Sequence, residues 1–432
     1  MSDVVPEGWK ISLLNELVSR IRTPVQYNPK NVLTISSTSG WMDQRQKWAR
    51  NMAGESLKKY TQLNRGELSY NKGNSKTFPY GCVFKLNGWK SAAVPNVYHS
   101  FRINEGKADP DFIQYSFHGG CLDYQLRKII TSSVRANGLL NITASDFFNI
   151  ELISPRLPEQ QKIAAILTSV DEVIEQTQAQ IDKLKDLKTA MMQELLTRGV
   201  GVDGKPHTEF KDSPVGRIPK GWEVALISEL FQVQLGKMLS KASKIGNKPY
   251  PYLGNKNVQW GDVDLTNLET MDFKDAECKK FSLLKGDLLM CEGGDVGRTA
   301  IWQGEMGNCY YQKAIHRLRP IESSYEPFLL MEYMRYAKKT GLLVDYISQT
   351  SIAHLTKEKL ISIPLPVPSV QEQQKIVCIL KSITGKINLS ATTLQKNKVL
   401  KKALMQDLLT GKVRVTVPAP SSPKASSLKA IA

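Results

Sequence analysis

The feature that most constrains this chain is that it contains itself twice. Pro6-Glu7-Gly8-Trp9-Lys10, followed by Leu13 and Glu16-Leu17, returns 213 residues later as Pro219-Lys220-Gly221-Trp222-Glu223, followed by Leu226 and Glu229-Leu230. The same offset carries Glu159-Gln160-Gln161-Lys162-Ile163 onto Glu372-Gln373-Gln374-Lys375-Ile376, and Gln193-Glu194-Leu195-Leu196-Thr197 onto Gln406-Asp407-Leu408-Leu409-Thr410. Self-similarity at a fixed offset means one structural unit duplicated, here two copies followed by a tail. Between these anchors the copies drift: Asn64-Arg65-Gly66-Glu67-Leu68 matches Leu284-Lys285-Gly286-Asp287-Leu288 only at a different offset. Two copies that share a frame and differ inside it suggest one architecture aimed at two targets.

Each copy ends in a heptad pattern. Steps of four and three give Ile163, Leu167, Val170, Ile174, Thr177, Ile181, Leu184, Lys188, Met191 and Leu195 in the first copy. The second gives Ile376, Leu380, Ile383, Ile387, Ser390, Leu394, Asn397, Lys401, Leu404 and Leu408. An apolar seam at a period of 3.5 predicts two long coiled-coil helices, over 158–200 and 371–414. The first carries five basic and seven acidic residues, the second nine and two. Pairing two copies of the second would bring like charges together, so the two helices are expected to pair with each other within one chain.

The rest reads as mixed α/β, at a length expected to hold two to four domains. Short β-type runs such as Gly81–Leu86 and Ser362–Pro366 are broken by Gly and Pro, and a helical stretch begins at Pro327. Residues 201–217 read as a linker and 415–432, rich in Pro, Ser, Ala and Lys, as a disordered tail. No run of about eighteen apolar residues predicts a membrane span, and the first residues do not resemble a signal peptide. Six scattered cysteines without CxxC spacing argue against a zinc ribbon or disulfide framework and fit a reducing cytoplasm.

A net charge of +17 favours polyanionic partners through phosphate neutralisation. Catalytic signatures are missing. The chain shows no glycine-rich cofactor loop paired with an Asn/Asp-Pro-Pro-aromatic motif, and no GxxxxGK[ST] loop. The cluster Gly293-Gly294-Asp295-Val296-Gly297 lacks a strand-then-helix context and reads as a turn. A binding protein without catalytic or metal residues is the expectation.

Together these features resemble the specificity subunit of Type I restriction–modification systems. The resemblance rests on Val5–Lys10 and Ile218–Val224 around the Gly-Trp pairs, and on the Pro-rich run Ile363–Pro368 leading into Glu372–Ile376. Leu157–Ile163 and the endings Leu195–Gly199 and Leu408–Val413 complete it, over nearly the whole chain up to about residue 415. The first copy departs modestly, with Ser154-Pro155-Arg156 where the second has its fuller proline run. The resemblance implies α+β (α/β) globular target recognition domains, 1–157 and 218–370, alternating with two long helices that form an antiparallel coiled coil in a tandem pseudo-twofold repeat. Each domain would read one half of an asymmetric, split site in double-stranded DNA. The implied partners are two methyltransferase subunits that modify adenine with S-adenosylmethionine, and two restriction subunits driven by ATP and magnesium, in a cytoplasmic complex without a membrane role. A related Type IIG- or IIB-like specificity subunit and a scaffold that binds only proteins are the alternatives.

A helix of about 35 residues spans roughly 50 Å at 1.5 Å per residue, which limits the spacer to about 15 base pairs. Residues 1–157 hold twenty basic against twelve acidic side chains, and 218–370 nineteen against seventeen. The second domain must therefore cluster its cations if it holds DNA tightly. Side chains able to reach base edges in pairs of hydrogen bonds nominate Asn71, Lys72 and Lys76 within Tyr70–Lys76, and Arg135 and Asn137 within Ser132–Asn137. In the second domain they nominate Asn255, Lys256, Glu292, Arg298, Gln312, Lys313, Gln349 and Ser351.

Overall fold

The heptad segments fold as the helices Leu157–Thr197 and Val370–Leu408 in the computed structural model, which describes residues 5–25, 29–48, 54–73, 75–130, 139–201, 203–241, 243, 245–349 and 353–417. Ile163, Leu167, Ile181, Ile376, Leu380, Ile383 and Leu394 on the seams are buried, and Val170, Ile174, Leu184, Ile387 and Leu404 half-buried. Off the seams, Val173, Leu187, Leu389, Val399 and Leu400 are exposed. Burial thus follows the 3.5-residue period along the middle of each helix, while Ala164, Met192, Leu196 and Val377 near the ends are buried off the seams against the globular parts.

Both helices stop short of the boundaries expected from the sequence, 200 and 414, and glycine is the reason. Gly199 and Gly411 lie just past the ends with φ of +68° and +71°, a left-handed conformation that glycine adopts without a Cβ clash. A Cβ at Gly199 would also strike Trp222, and one at Gly411 would strike Pro6. After Leu408 the chain turns back, so the expected tail begins too early: Val415 packs partly against the core of the first unit. The remainder of that tail, 418–432, lies outside the described residues.

The chain divides into two compact units, residues 1–178 with 392–432 and residues 179–391. Each unit contains half of each long helix, and the halves run antiparallel. In the first unit Glu159 meets Arg414 and Asp171 meets Lys401. In the second, Val200 donates to Glu372, while Met192, Leu195 and Leu196 share a core with Ile376, Val377 and Leu380.

The globular part of the first unit is built on a four-stranded antiparallel sheet, in the order Val18–Arg20, His99–Ile103, Leu68–Asn71, Cys82–Lys85. That of the second has the order Phe231–Leu235, Ile315–Pro320, Leu288–Cys291, Thr299–Ile301. Register makes them equivalent row by row: Arg20–Phe101–Leu68 corresponds to Val233–Leu318–Leu288. A ladder of Lys10–Leu13 with Glu151–Ser154, or of Glu223–Leu226 with Pro364–Val367, leads each sheet into its long helix. The matched Gly66 and Gly286 turns are closed alike. Glu67 accepts from the Asn64 amide at 2.7 Å and Asp287 from the Leu284 amide at 2.7 Å.

The repeated motifs earn their repetition by meeting in space. In the second unit Glu372, 3% exposed, accepts from the Trp222 indole at 2.9 Å, the Val200 amide at 2.9 Å and His207 at 2.9 Å. The neighbouring Gln373 donates to the carbonyls of Pro368 and Ser324, and its Oε1 accepts from the Glu326 amide that begins helix Pro327–Thr340. In the first unit Gln160 likewise donates to the Pro155 carbonyl and accepts from the Asp109 amide, which begins helix Pro110–His118. Each glutamine therefore ties the start of a long helix to the start of a globular one, satisfying backbone groups that burial would otherwise leave unpaired.

Candidate nucleic-acid interface

In both units a loop and a facing segment meet at one end of the central sheet, where several of the described candidate residues lie. Past strand Leu68–Asn71, Gly73 bridges Leu139 and the Lys72 carbonyl accepts from the Leu140 amide at 2.9 Å. Past strand Leu288–Cys291, Gly293 bridges His354 and the Glu292 carbonyl accepts from the Leu355 amide at 2.8 Å. The loop after one central strand thus lies beside the segment before helix Ala144–Phe148 in the first unit, and before helix Lys357–Ile361 in the second. Thr143 and Thr356 cap these helices through their hydroxyls, which fixes where the preceding segment must run.

A buried histidine sits under each junction. His99 and His316 share a sheet row, opposite Tyr70 and Met290. His316 contacts the Leu355 carbonyl at 3.0 Å, and its Nδ1 has no partner. His99 stacks with Tyr70 and lies tilted against Phe147, and its Nε2 is unpartnered. Burial holds both rings below the usual imidazole value; Lys72 and Arg20 reinforce this at His99, pushed down to about 4, whereas Glu292 opposes it at His316.

Asn71 and Lys72 lie at the strand end, with Lys76 exposed nearby. The Asn71 amide is held locally, its Oδ1 accepting from the Gly73 amide at 3.0 Å and its Nδ2 donating to the Ile35 carbonyl. Arg135 and Asn137, which the sequence places in the adjoining segment, lie outside the described residues.

In the second unit, Glu292 donates its amide to the Ala314 carbonyl, bringing Gln312 and Lys313 alongside. Asn255 donates to the Gly293 carbonyl at 3.1 Å, and Arg298 donates to the Asn255 carbonyl at 2.6 Å. Gln349 ends the short strand Ser348–Gln349, paired with Ala353–His354, and Ser351 lies outside the described residues. Lys256 is exposed and ion-paired with Glu269 at 2.9 Å. Of the described nominees, Asn71 and Lys72 in the first unit and Glu292, Arg298, Gln312 and Lys313 in the second lie at this sheet end, although Asn71 and Arg298 direct polar atoms to neighbouring backbone. Arg20 and Arg22, which the sequence reading passed over, stand on the same sheet face: only the strand register reveals it.

Beside this shared frame, each unit carries different strands. The first adds the pairs Leu33–Ser36 with Gly40–Asp43 and Thr61–Asn64 with Ser91–Val94. The second adds a three-stranded sheet of Glu269–Asp272, Pro249–Leu253 and Tyr310–Tyr311. The glycine cluster 293–297 forms bends and turns, as expected, with Gly294 and Gly297 at positive φ. No helix among the described residues is long and apolar enough to cross a membrane.

The sequence pattern of the Type I restriction modification DNA specificity domain matches residues 95–186 and 219–399, well over half of the chain. Over an alignment of 440 positions, covering 95% of each chain, this one is 26% identical to the putative type I restriction enzyme MjaX specificity subunit of Methanocaldococcus jannaschii. It is 29% identical to the MjaVIII specificity subunit of the same organism over 298 residues, 66% of this chain and 67% of the relative. In fold it is similar to the S subunit of a Type I restriction–modification system from M. genitalium, with a TM-score of 0.58 at 14% identity, covering 94% of this chain and 97% of that one. The duplicated frame, the two heptad helices and the matched sequence pattern lead to one conclusion: the chain belongs to the Type I restriction–modification DNA specificity family.

Proposed function

We propose that each unit reads one half of a split, asymmetric DNA site, and that the two long helices set the spacing between the halves. The observation that carries this reading is the shared sheet end: one frame brings loops together at the same place in both units, while the strands flanking it differ. A common frame with different insertions suits two readers of different sequence, because phosphate contacts position a protein and base contacts specify it. In this reading the chain performs no chemistry. Two methylating subunits using S-adenosylmethionine modify adenine, and two restriction subunits using ATP and magnesium translocate and cut. Genome-wide mapping of methylated adenine, with and without this gene, tests the proposal. Loss of a single split motif supports it; an unchanged methylation pattern overturns it.

A further inference from the structure

The two sheet ends carry different charge. Strand Val18–Arg20 lies at the edge of the first sheet and continues to Arg22, with Ile21 donating to the Ser100 carbonyl at 2.8 Å. Residues two apart on a strand share a face and lie about 7 Å apart, so Arg20 and Arg22 stand side by side, both exposed, on the face that carries His99. Among the described residues neither forms an ion pair, and the Arg20 guanidinium is held below its ordinary range by burial and by Arg22. Arg20 also helps to keep His99 neutral. In the second unit register places Val233 and Leu235 at these positions. Three of the cations nearby are answered by acids, Lys237 by Glu277 at 2.6 Å, Lys256 by Glu269 at 2.9 Å and Arg319 by Asp287 at 2.7 Å, while Lys313 stands exposed but has no second cation beside it in the chain.

Two adjacent guanidiniums without a carboxylate are costly to hold together and gain most from phosphate, which they meet in paired hydrogen bonds. We propose that Arg20 and Arg22 form a phosphate clamp for the DNA backbone, and that the first unit supplies most of the salt-dependent anchoring while the second contributes chiefly readout. The proposal rests on the DNA-reading function above and adds to it an unequal division of labour between the units.

The test is a salt titration of the full-length chain with a fluorescein-labelled 30-base-pair duplex of random sequence. Each phosphate contact adds about 0.9 to the slope of log affinity against log salt. The double variant Arg20→Gln/Arg22→Gln is expected to lower that slope by about 1.8. Arg20→Lys/Arg22→Lys keeps it within about 0.5, because charge is preserved. Lys220→Gln/Lys248→Gln in the second unit removes equal charge from lysines paired with Glu209 and Asp275, and is expected to change the slope by less than about 0.5. An unchanged slope in the glutamine double variant overturns the clamp, as does an equal loss in the lysine one. Wild-type protein with no salt-dependent affinity for the duplex would instead sink the DNA-reading function itself.

Discussion

Lys188 and Lys401 occupy the same seam position in the two copies but hold different partners: Lys188 reaches the globular part of its unit, whereas Lys401 pairs with the other long helix and meets the globular part only at the Tyr115 ring. Lys188 reaches Oε1 of Glu332 on helix Pro327–Thr340 at 2.9 Å, where the glutamate side chain is 1% exposed; Arg335 shares that oxygen at 3.4 Å and Oε2 has no partner. Lys401 pairs with Asp171 at 2.6 Å and lies over the Tyr115 ring, with lysine and aspartate side chains 24% and 30% exposed. The sequence of a seam can therefore be duplicated while the energetics of its polar positions diverge. The second unit has turned its lysine into a buried charge pair; the first keeps a wetter contact. Lys188→Ala is expected to cost about 3 kcal/mol, since it leaves the buried carboxylate only the longer contact with Arg335. Lys401→Ala should cost about 1 kcal/mol or less. Urea denaturation followed by amide exchange in each unit measures both, and equal losses would erase the contrast.

The histidines beneath the two junctions sharpen the same comparison. His99 is neutral in the folded chain down to about pH 4, whereas an unfolded histidine takes a proton near 6.5. Between those values the unfolded state binds more protons, so stability is fully present above about pH 6.5 and falls as pH drops toward 4. The loss is on the order of 2–3 kcal/mol, and His99→Gln should flatten that part of the first unit's pH profile. His316 is also depressed, but Glu292 pulls it back. Histidine NMR titration is expected to show His316 protonating at the higher pH of the two. The reverse order would contradict the difference in charge drawn between the sheet ends.

The repeat also shows what a sequence exposes and what it hides. The seams were legible because a 3.5-residue period is a local property, and Ile163 through Leu408 are placed by it alone. The turns at Gly66 and Gly286 were visible for the same reason. The use of Gln160 and Gln373 was not: their Oε1 partners, Asp109 and Glu326, lie 51 and 47 residues away, and only the tertiary fold joins them. Asn71 and Arg298 were nominated by residue type, which cannot reveal that Gly73 or Asn255 holds the same atoms. Arg20 and Arg22 were missed because a three-residue edge strand carries too little periodicity to show which face its side chains occupy. Replacing Gln160 or Gln373 by Ala should cost about 1–3 kcal/mol each, because buried backbone partners lose their bonds. Similar losses in the two units, read from their separate denaturation midpoints, would mark this contact as the part of the frame that drift has left alone.

A comparably small effect concerns Glu159 and Glu372, the carboxylates that open the two Glu-Gln-Gln motifs. Glu372 is enclosed by the Trp222 indole, the Val200 amide and His207, all supplied by the chain leaving the first long helix and entering the second copy. At the equivalent place Glu159 is held by Arg414, through two bonds of 2.7 and 2.8 Å, and Arg414 also donates to the Glu7 carbonyl. The Trp9 indole nitrogen, unlike that of Trp222, is left without a partner. An arginine beyond the second helix thus does in the first unit what three neutral or weakly basic donors do in the second. The Arg414 side chain is 45% exposed, so water competes for its charge, and Arg414→Ala should cost only about 1 kcal/mol. That loss should be confined to the first unit and deepen little with added salt, because the paired geometry and not long-range charge holds the contact. Amide exchange around Glu7 and Glu159 reads the effect directly. If exchange there is unchanged while the second unit loosens, Arg414 is not the group that closes the first unit.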